Sequence, residues 1–171
     1  FKNNDRGQLI MACGTGKTYT TLLIKERIKS KSTLVLVPSL SLLSQTLKEW
    51  TFASEESFDV LCVCSDATVG NNSSYDSIEE SVKDFSFPVT DVDPEKAVEE
   101  IKIFLKGRGS KVIFSTYHSA PLIVESQREI KNTMFDLVIA DEAHKCTGEE
   151  GSFFSIVLDG SKIKSKKRLF S

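Results

Sequence analysis

The sequence predicts an α/β fold in which a mostly parallel central sheet carries helices on both faces. Short apolar runs rich in Val, Ile and Leu alternate with amphipathic stretches of helical length, a pattern typical of parallel strands joined by helices. The 171 residues, of which 40% are apolar and 11 are Phe, suit one compact domain. Ligands in such sheets bind at the carboxyl ends of the strands, so the residues that follow each strand indicate the function.

The same pattern locates the individual elements. Six strands are predicted, at residues 8–13, 33–37, 58–64, 111–116, 135–140 and from 167 onward. Four helices are predicted between them, at about residues 17–29, 40–50, 93–105 and 119–130. The third helix has a marked start, because Asp93 is a preferred N-cap and Pro94 suits the first turn. The acidic, polar tract at about residues 65–92 is predicted to be an insertion, with a short helix near residues 78–82.

Composition excludes several classes of protein. No apolar run reaches the length of about 18 residues that spans a bilayer, which excludes a membrane channel, and the mixed composition excludes a disordered tail and a collagenous rod. The first five residues do not resemble a signal peptide, so we expect a cytoplasmic protein of which this chain is one part. Cys13, Cys62, Cys64 and Cys146 lack the spacing of a zinc site or disulfide framework, and we predict reduced thiols.

The charge of the chain is unevenly distributed. Residues 55–100 hold 13 acidic and 2 basic residues, whereas the rest of the chain holds 20 basic and 11 acidic residues. We interpret the acidic block as a solvated surface segment, with a regulatory flap or a partner contact as the alternative. The basic remainder suits a polyanionic partner, although charge alone does not identify it.

A glycine-rich turn follows the first predicted strand and leads directly into the first helix. Gly14 and Gly16 allow successive backbone N–H groups to point inward, and the helix N-terminus adds partial positive charge. Lys17 can then reach the outer phosphates of a nucleotide, and the Thr18 hydroxyl can bind magnesium. The strict phosphate-loop pattern has glycine at the position of Met11, a departure that leaves the tight turn intact. The predicted nucleotide-binding residues of this loop are Cys13, Gly14, Thr15, Gly16, Lys17, Thr18 and Tyr19.

Two acidic residues follow the fifth strand. An acid at the end of a buried apolar strand is costly unless it meets a cation, so Asp141 is predicted to bind magnesium opposite Thr18. Glu142 is predicted to face the attacking water of a hydrolysis reaction. His144 either links the nucleotide site to other parts of a motor or caps the following turn.

Four segments together resemble the motifs of a known family. They are residues 11–18 (MACGTGKT), 37–45 (VPSLSLLSQ), 115–120 (STYHSA) and 141–144 (DEAH). In order and spacing they are similar to motifs I, Ia, Ib and II of superfamily 2 helicases, the DEAD/DEAH-box class. The variants look most like the motors of type I, type III and related single-chain, ResIII-like restriction enzymes. The resemblance covers nearly the whole chain.

The resemblance implies a first RecA-like domain that binds ATP with Mg²⁺. By position, Lys17 and Thr18 would hold the phosphates and magnesium, Asp141 would hold magnesium, and Glu142 would activate water. These residues would make the intact protein an ATP hydrolase.

The resemblance further implies that the motif Ia and Ib loops track a nucleic-acid backbone, with DNA as the polymer. Pro38, Ser39, Thr116 and Tyr117 would lie along that surface. Other roles remain open for both pairs. Pro38 and Ser39 could form a plain turn that ends a strand, and Tyr117 could be an aromatic residue packed beneath the next helix.

Further parts of a motor are implied outside these residues. The sequence ends where the family continues into motif III, and a second RecA-like domain of the same parent chain would supply an arginine to the nucleotide. We therefore expect the 171 residues alone to bind nucleotide weakly and to hydrolyse it hardly at all. Arg6 and Gln8 would lie where this superfamily often places groups that contact the adenine or the phosphates, with plain solvent exposure of Arg6 as the alternative.

Two other classes of function remain open. One is a P-loop NTPase of another kind, such as a small-molecule kinase or a transport ATPase, although Asp141 and Glu142 favour water as the acceptor. The other is a binding module that uses nucleotide as a switch, although such a module has no need of Glu142. Matches to the E-x-K half of a nuclease site at residues 100–102 and 129–131 fall on helical stretches, and we interpret them as helix surface.

Overall fold

A computed structural model describes residues 4–12, 14–64, 89–91, 93–130, 133–142, 156 and 159–171. In this part of the chain six strands form one sheet in which all neighbouring strands run parallel, in the order β1–β6–β5–β2–β4–β3. The strands are β1 (Arg6–Gln8), β2 (Ser32–Val37), β3 (Asp59–Val63), β4 (Lys111–Thr116), β5 (Phe135–Ala140) and β6 (Ser165–Phe170). The helices are α1 (Lys17–Arg27), α2 (Leu40–Ala53), α3 (Pro94–Lys106) and α4 (Ala120–Glu129), and a 3₁₀ turn (Tyr117–Ser119) precedes α4.

Strand β2 lies at the centre of the sheet because it is apolar on both faces. Leu34 and Leu36 belong to one hydrophobic core, which α3 and α4 cover. Val35 and Val37 belong to the other core, which α1 and α2 cover. Alternate side chains of a strand point to opposite faces, so a continuous apolar run fits a strand that is covered twice. The predicted three-layer α/β fold with a parallel sheet is confirmed.

The first strand differs from the prediction. The expected strand at residues 8–13 is wrong, because β1 covers Arg6–Gln8 and pairs in register with residues 168–170 of β6. The Leu9 amide adds one more hydrogen bond to β6, at 2.7 Å. The chain then leaves the sheet, and Ile10 is 83% exposed. An apolar run forms a strand only where a neighbouring strand offers backbone partners, which composition does not reveal.

The remaining elements lie within about three residues of their predicted ends. Helix α3 begins as its sequence predicts, because the Asp93 carboxylate accepts the Glu95 amide at 3.0 Å and Pro94 occupies the first turn. Gly107 follows its last residue. The predicted insertion falls largely outside the described residues. Of it, residues 89–91 are described, and Val89 bridges to Cys62 at the edge of the sheet.

Asp136 joins three strands at the end of the sheet opposite the predicted site. Its Oδ2 accepts hydrogen bonds from the Lys31 and Ser32 amides at 2.9 and 3.2 Å, and its Oδ1 lies 2.7 Å from Lys166 Nζ. Burial raises the pKa of this carboxyl, but the hydrogen bonds from Lys166 and the two amides outweigh burial and hold the pKa below its usual value.

Neither Cys62 nor Cys64 is part of a disulfide bond in the structure. Burial, together with the neighbouring Cys64, raises the pKa of the Cys62 thiol to about 12, so Cys62 stays protonated. Cys13 and Cys146 lie outside the described residues. Within those residues, no group of three or more His, Cys, Asp or Glu side chains could hold a metal ion by itself.

The first E-x-K match lies on helix α3. Lys102 Nζ contacts Glu99 and Glu129, both at 2.6 Å, and so links α3 to α4. This ion pairing fits the interpretation as helix surface. The second match includes residue 131, which lies outside the described part of the chain.

Candidate nucleotide site

The glycine-rich turn between β1 and α1 has the backbone conformation that its glycines permit. Gly14 and Gly16 have φ angles of 75° and 89°, in the left-handed region that favours glycine. A Cβ atom at either position would meet nothing within 4 Å, so glycine is required here for its conformation and not for lack of space. Thr15 closes the turn, since its hydroxyl donates to the Ala12 carbonyl at 2.7 Å. Cys13 lies outside the described residues.

Lys17 and Glu142 form an ion pair across the carboxyl end of the sheet. Lys17 Nζ lies 3.0 Å from Glu142 Oε1, and the two side chains are 15% and 12% exposed. Lys17 is the first residue of α1, whereas Glu142 follows β5 with a positive φ of 52°. That conformation is uncommon for a residue other than glycine, and it directs the carboxylate towards the phosphate loop.

Asp141 is held by three neighbouring segments at the end of β5. Its amide donates to the Leu36 carbonyl at 2.9 Å, and its carbonyl accepts the Tyr117 hydroxyl at 2.9 Å. Its Oδ1 accepts a hydrogen bond from the Ser171 hydroxyl at 2.7 Å. Ser171 could not be predicted from the sequence, because its contact with Asp141 depends on β6 lying beside β5. His144 lies outside the described residues, so its predicted coupling role stays a prediction.

One cavity brings the phosphate loop and the two acids together. It has a volume of about 300 Å³, and the residues that line it are Gly14, Gly16, Lys17, Thr18, Leu42, Gln45, Glu49, Asp141 and Glu142. The structure therefore collects the predicted magnesium ligands Thr18 and Asp141, and the predicted catalytic pair Lys17 and Glu142, around a common space. The contribution of α2 was not predicted. Its signal in the sequence is the spacing of Leu42, Gln45 and Glu49, which lie on one helical face.

Trp50, the one tryptophan of the chain, joins α2 to the start of α1. Its Nε1 donates to the Thr18 carbonyl at 3.1 Å, and its ring is fully buried. The ring meets Phe114 of β4 edge to face, with centroids 5.5 Å apart. Thr18, whose hydroxyl is a predicted magnesium ligand, thus has its backbone fixed against the core.

Gln8, Arg6 and Tyr19 lie in different surroundings from one another. Gln8 lines a second cavity of about 190 Å³, and the other residues lining it are Leu9, Ile10, Met11, Lys17, Phe170 and Ser171. This cavity shares Lys17 with the first. Arg6 is exposed, and Tyr19 is 52% exposed. Neither of these two side chains lines either cavity.

The residues expected along a nucleic-acid surface differ in exposure. Pro38 and Ser39 are half-buried, and the Ser39 hydroxyl caps α2 by accepting the Leu42 amide at 3.3 Å. Thr116 is fully buried and Tyr117 is 3% exposed. Thr116 and Tyr117 are therefore more deeply buried than the expected surface position implies, and their contact with nucleic acid stays a prediction. Packing beneath the following helix, the alternative for Tyr117, agrees with its burial.

The donor set fits a magnesium ion that is bound together with nucleotide. Mg²⁺ in phosphate-transfer sites takes one or two carboxylates, substrate phosphates and several waters, so it does not need a protein cluster of three ligands. Asp141 and the hydroxyl of Thr18 are the residues that could hold it.

In the described part of the chain, no helix is both long and apolar enough to cross a membrane.

Comparisons with known proteins give consistent results. The family described as "Type III restriction enzyme, res subunit" (ResIII) matches residues 1–169. The "Probable helicase A859L" of African swine fever virus (isolate Pig/Kenya/KEN-50/1950) is 34% identical over 99% of this chain. The chain spans 17% of that relative's length.

Two solved structures have the same fold. One is a nuclease-deletion mutant of the type ISP restriction-modification enzyme LlaGI in complex with a DNA substrate mimic, with 35% identity and a TM-score of 0.74. The other is the ATP-dependent type ISP restriction-modification enzyme LlaBIII bound to DNA, with 36% identity and a TM-score of 0.76. Each structure covers 99% of this chain. In turn, this chain covers 15% of the LlaGI chain and 11% of the LlaBIII chain. The chain belongs to the family of the type III restriction enzyme res subunit, and it has the RecA-like fold of the helicase-type ATPase domain in restriction-enzyme motors.

Proposed function

We propose that this chain is the ATP-binding lobe of a motor that couples ATP hydrolysis to movement along DNA, within a restriction-type or related DNA-processing enzyme. One observation carries the proposal. Lys17, Thr18, Asp141 and Glu142 line a common cavity, with Lys17 and Glu142 in contact at 3.0 Å. A lysine, a hydroxyl and two acids around a glycine-rich loop are the groups that phosphoryl transfer to water requires.

The phosphates of ATP would lie against the loop backbone and the N-terminus of α1. Lys17 would then bind the outer phosphates, which replace the Glu142 carboxylate as its partner. The carboxylate of Glu142 would thereby be released to face the water. In the absence of nucleotide, the ion pair satisfies both charges in a largely buried position.

Thr18 and Asp141 would hold a magnesium ion. When bound, this ion neutralises charge that develops on the phosphate oxygens. Ser171 orients the Asp141 carboxylate through the 2.7 Å hydrogen bond. Glu142 would accept a proton from the attacking water, a role that the negatively charged carboxylate can perform and an amide cannot.

Movement requires a second lobe and a track. We propose that a second RecA-like domain in the same protein closes on this cavity and supplies an arginine, and that DNA is the track. This chain spans between 11% and 17% of the length of these relatives, which supports further domains in the whole protein. The two similar enzymes were solved with DNA or a DNA mimic, which supports DNA as the polymer. We further propose a cytoplasmic location, where thiols such as those of Cys62 and Cys64, which form no disulfide bond, stay reduced.

The test is steady-state ATP hydrolysis by the full-length protein that carries this chain. Rates would be compared without nucleic acid and with single-stranded DNA, duplex DNA and RNA, each with and without Mg²⁺. We expect stimulation by DNA that disappears in Lys17→Ala. Stimulation by duplex alone would identify a translocase, and stimulation by single strands or RNA a helicase proper. Hydrolysis that no nucleic acid stimulates would refute the motor and favour a nucleotide switch.

A further inference from the structure

Tyr117 makes a contact that the proposed function does not use. Its hydroxyl donates to the carbonyl oxygen of Asp141 at 2.9 Å, and the side chain is 3% exposed. Tyr117 follows β4, whereas Asp141 follows β5. The contact therefore joins the ends of two strands that are not neighbours.

The sheet order explains why a tyrosine is needed for this contact. Strand β2 lies between β4 and β5, so Tyr117 reaches across the carboxyl end of β2. Neighbouring strands are about 4.8 Å apart, which makes the distance to be bridged about 10 Å. The Asp141 amide meanwhile donates to Leu36 of β2. Both the N–H and the C=O of Asp141 are thus held, one by β2 and one by Tyr117.

The held carbonyl belongs to the peptide that precedes Glu142. A peptide group is planar, so fixing the direction of the Asp141 carbonyl also fixes the N–H of Glu142 and restrains its φ angle. That angle is 52°, a conformation that a glutamate keeps only where its surroundings impose it. It is also the conformation in which the carboxylate meets Lys17 at 3.0 Å.

We infer that Tyr117 is a positioning residue for hydrolysis: its hydroxyl holds the Asp141–Glu142 peptide so that the Glu142 carboxylate faces the nucleotide cavity. The inference rests on the proposed function, because it assumes that Glu142 activates water. Tyr117 then serves to position the Glu142 carboxylate, whereas the sequence predicted that it contacts nucleic acid.

The test removes the hydroxyl alone, with Tyr117→Phe in the full-length protein. Misplacing a reacting group by about 1 Å can cost up to about 100-fold in rate, and we expect kcat for ATP to fall about tenfold with the ring still in place. ATP binding should not weaken, because Lys17 and the loop are untouched and a less firmly held Glu142 competes less with the phosphates for Lys17. Ser126→Ala is the matched control. It removes a buried hydroxyl that donates to a backbone carbonyl, that of Leu122 at 2.7 Å, on α4 and away from the cavity.

A double-mutant cycle separates positioning from a general loss of structure. Single-turnover hydrolysis would be measured for Tyr117→Phe, Glu142→Gln and the two combined. If Tyr117 acts through Glu142, the substitution costs nothing further once Glu142 is replaced. An unchanged kcat in Tyr117→Phe, or the same fold loss in both backgrounds, would overturn the inference. Neither result would affect the proposed function, which fails instead if Glu142→Gln itself hydrolyses ATP at the normal rate.

Discussion

Replacing Glu142 by Gln should slow the hydrolysis of ATP and at the same time strengthen its binding. The amide has nearly the shape of the carboxylate but accepts no proton from water. Loss of a positioned general base costs about 10²- to 10⁴-fold in rate, and we expect kcat to fall by that amount. ATP binding should instead become tighter, because Lys17 must leave its contact with residue 142 to bind the phosphates, and that contact is weaker with an amide than with the Glu142 carboxylate.

The size of the binding effect follows from the ion pair. The pair is 3.0 Å long, and both side chains are less than one-fifth exposed. Hydrogen bonds to charged groups contribute about 1.5–3 kcal/mol; a bond between two opposite charges lies at the upper end of this range, and one from the Lys17 ammonium to a neutral amide lies at the lower end. Nucleotide must displace either one to reach Lys17. The difference is about 1.4 kcal/mol, which corresponds to about tenfold tighter binding of ATP by Glu142→Gln.

The assay pairs equilibrium titration of a fluorescent ATP analogue with single-turnover hydrolysis, both on the full-length protein. Glu49→Gln is the control, since Glu49 is a second carboxylate that lines the same cavity, and its Oε1 accepts from Gln45 Nε2 at 2.8 Å. Neutralising it lowers the negative charge of the cavity and leaves the ion pair intact. Equal tightening in both variants would show that charge in general sets affinity. Weaker binding by Glu142→Gln would refute the argument from the ion pair altogether.

Three further results are expected. Asp136→Asn should lower the free energy of unfolding at pH 7 by about 1–2 kcal/mol, measured by urea denaturation. Because the pKa of Asp136 is depressed on folding, its contribution is present above the usual value of 3.8 and is lost as pH falls below it; equal destabilisation at pH 7 and pH 3 would contradict this. Trp50→Phe should cost about 1–3 kcal/mol by the same measurement and weaken ATP binding, since the Thr18 carbonyl loses a donor; unchanged values for both would refute that role. Residues 1–171 alone should hydrolyse ATP about 10³- to 10⁵-fold more slowly than the full-length protein with DNA, because a second lobe provides the arginine; comparable rates would exclude that dependence.

Much of the fold could be predicted because β2, β4 and β5 are covered on both faces. Each contains an unbroken apolar stretch of three or four residues, and each forms a strand at or within one residue of its predicted bounds. The edge strand β1 could not be predicted in this way. It has three residues with an exposed–half-buried–exposed pattern, and its extent depends on the backbone partners that β6 offers. Apolar periodicity reports burial, and an edge strand is not defined by burial.

The candidate site likewise contains residues that could be predicted from the sequence and a contact that could not. Lys17 and Glu142 could be named because phosphate chemistry demands these residue types next to a glycine-rich turn and at a strand end. The contact of Tyr117 with Asp141 could not, because it depends on which strand separates β4 from β5. The roles of these residues in catalysis remain predictions, whereas the positions of Lys17, Asp141 and Glu142 around the cavity follow from the strand order.

That order also makes β6 decisive for the site. The phosphate loop follows β1, and β1 joins the rest of the sheet through its pairing with β6. Asp141 and Glu142 follow β5, on the other side of β6. The distance between Lys17 and Glu142 is therefore set by a strand that carries neither residue. Ser171, directly after β6, contacts Asp141 and lines the second cavity beside Lys17. A shift of β6 would move the glycine-rich loop with Lys17 away from Asp141 and Glu142. Strand β6 therefore holds the loop opposite the two acids.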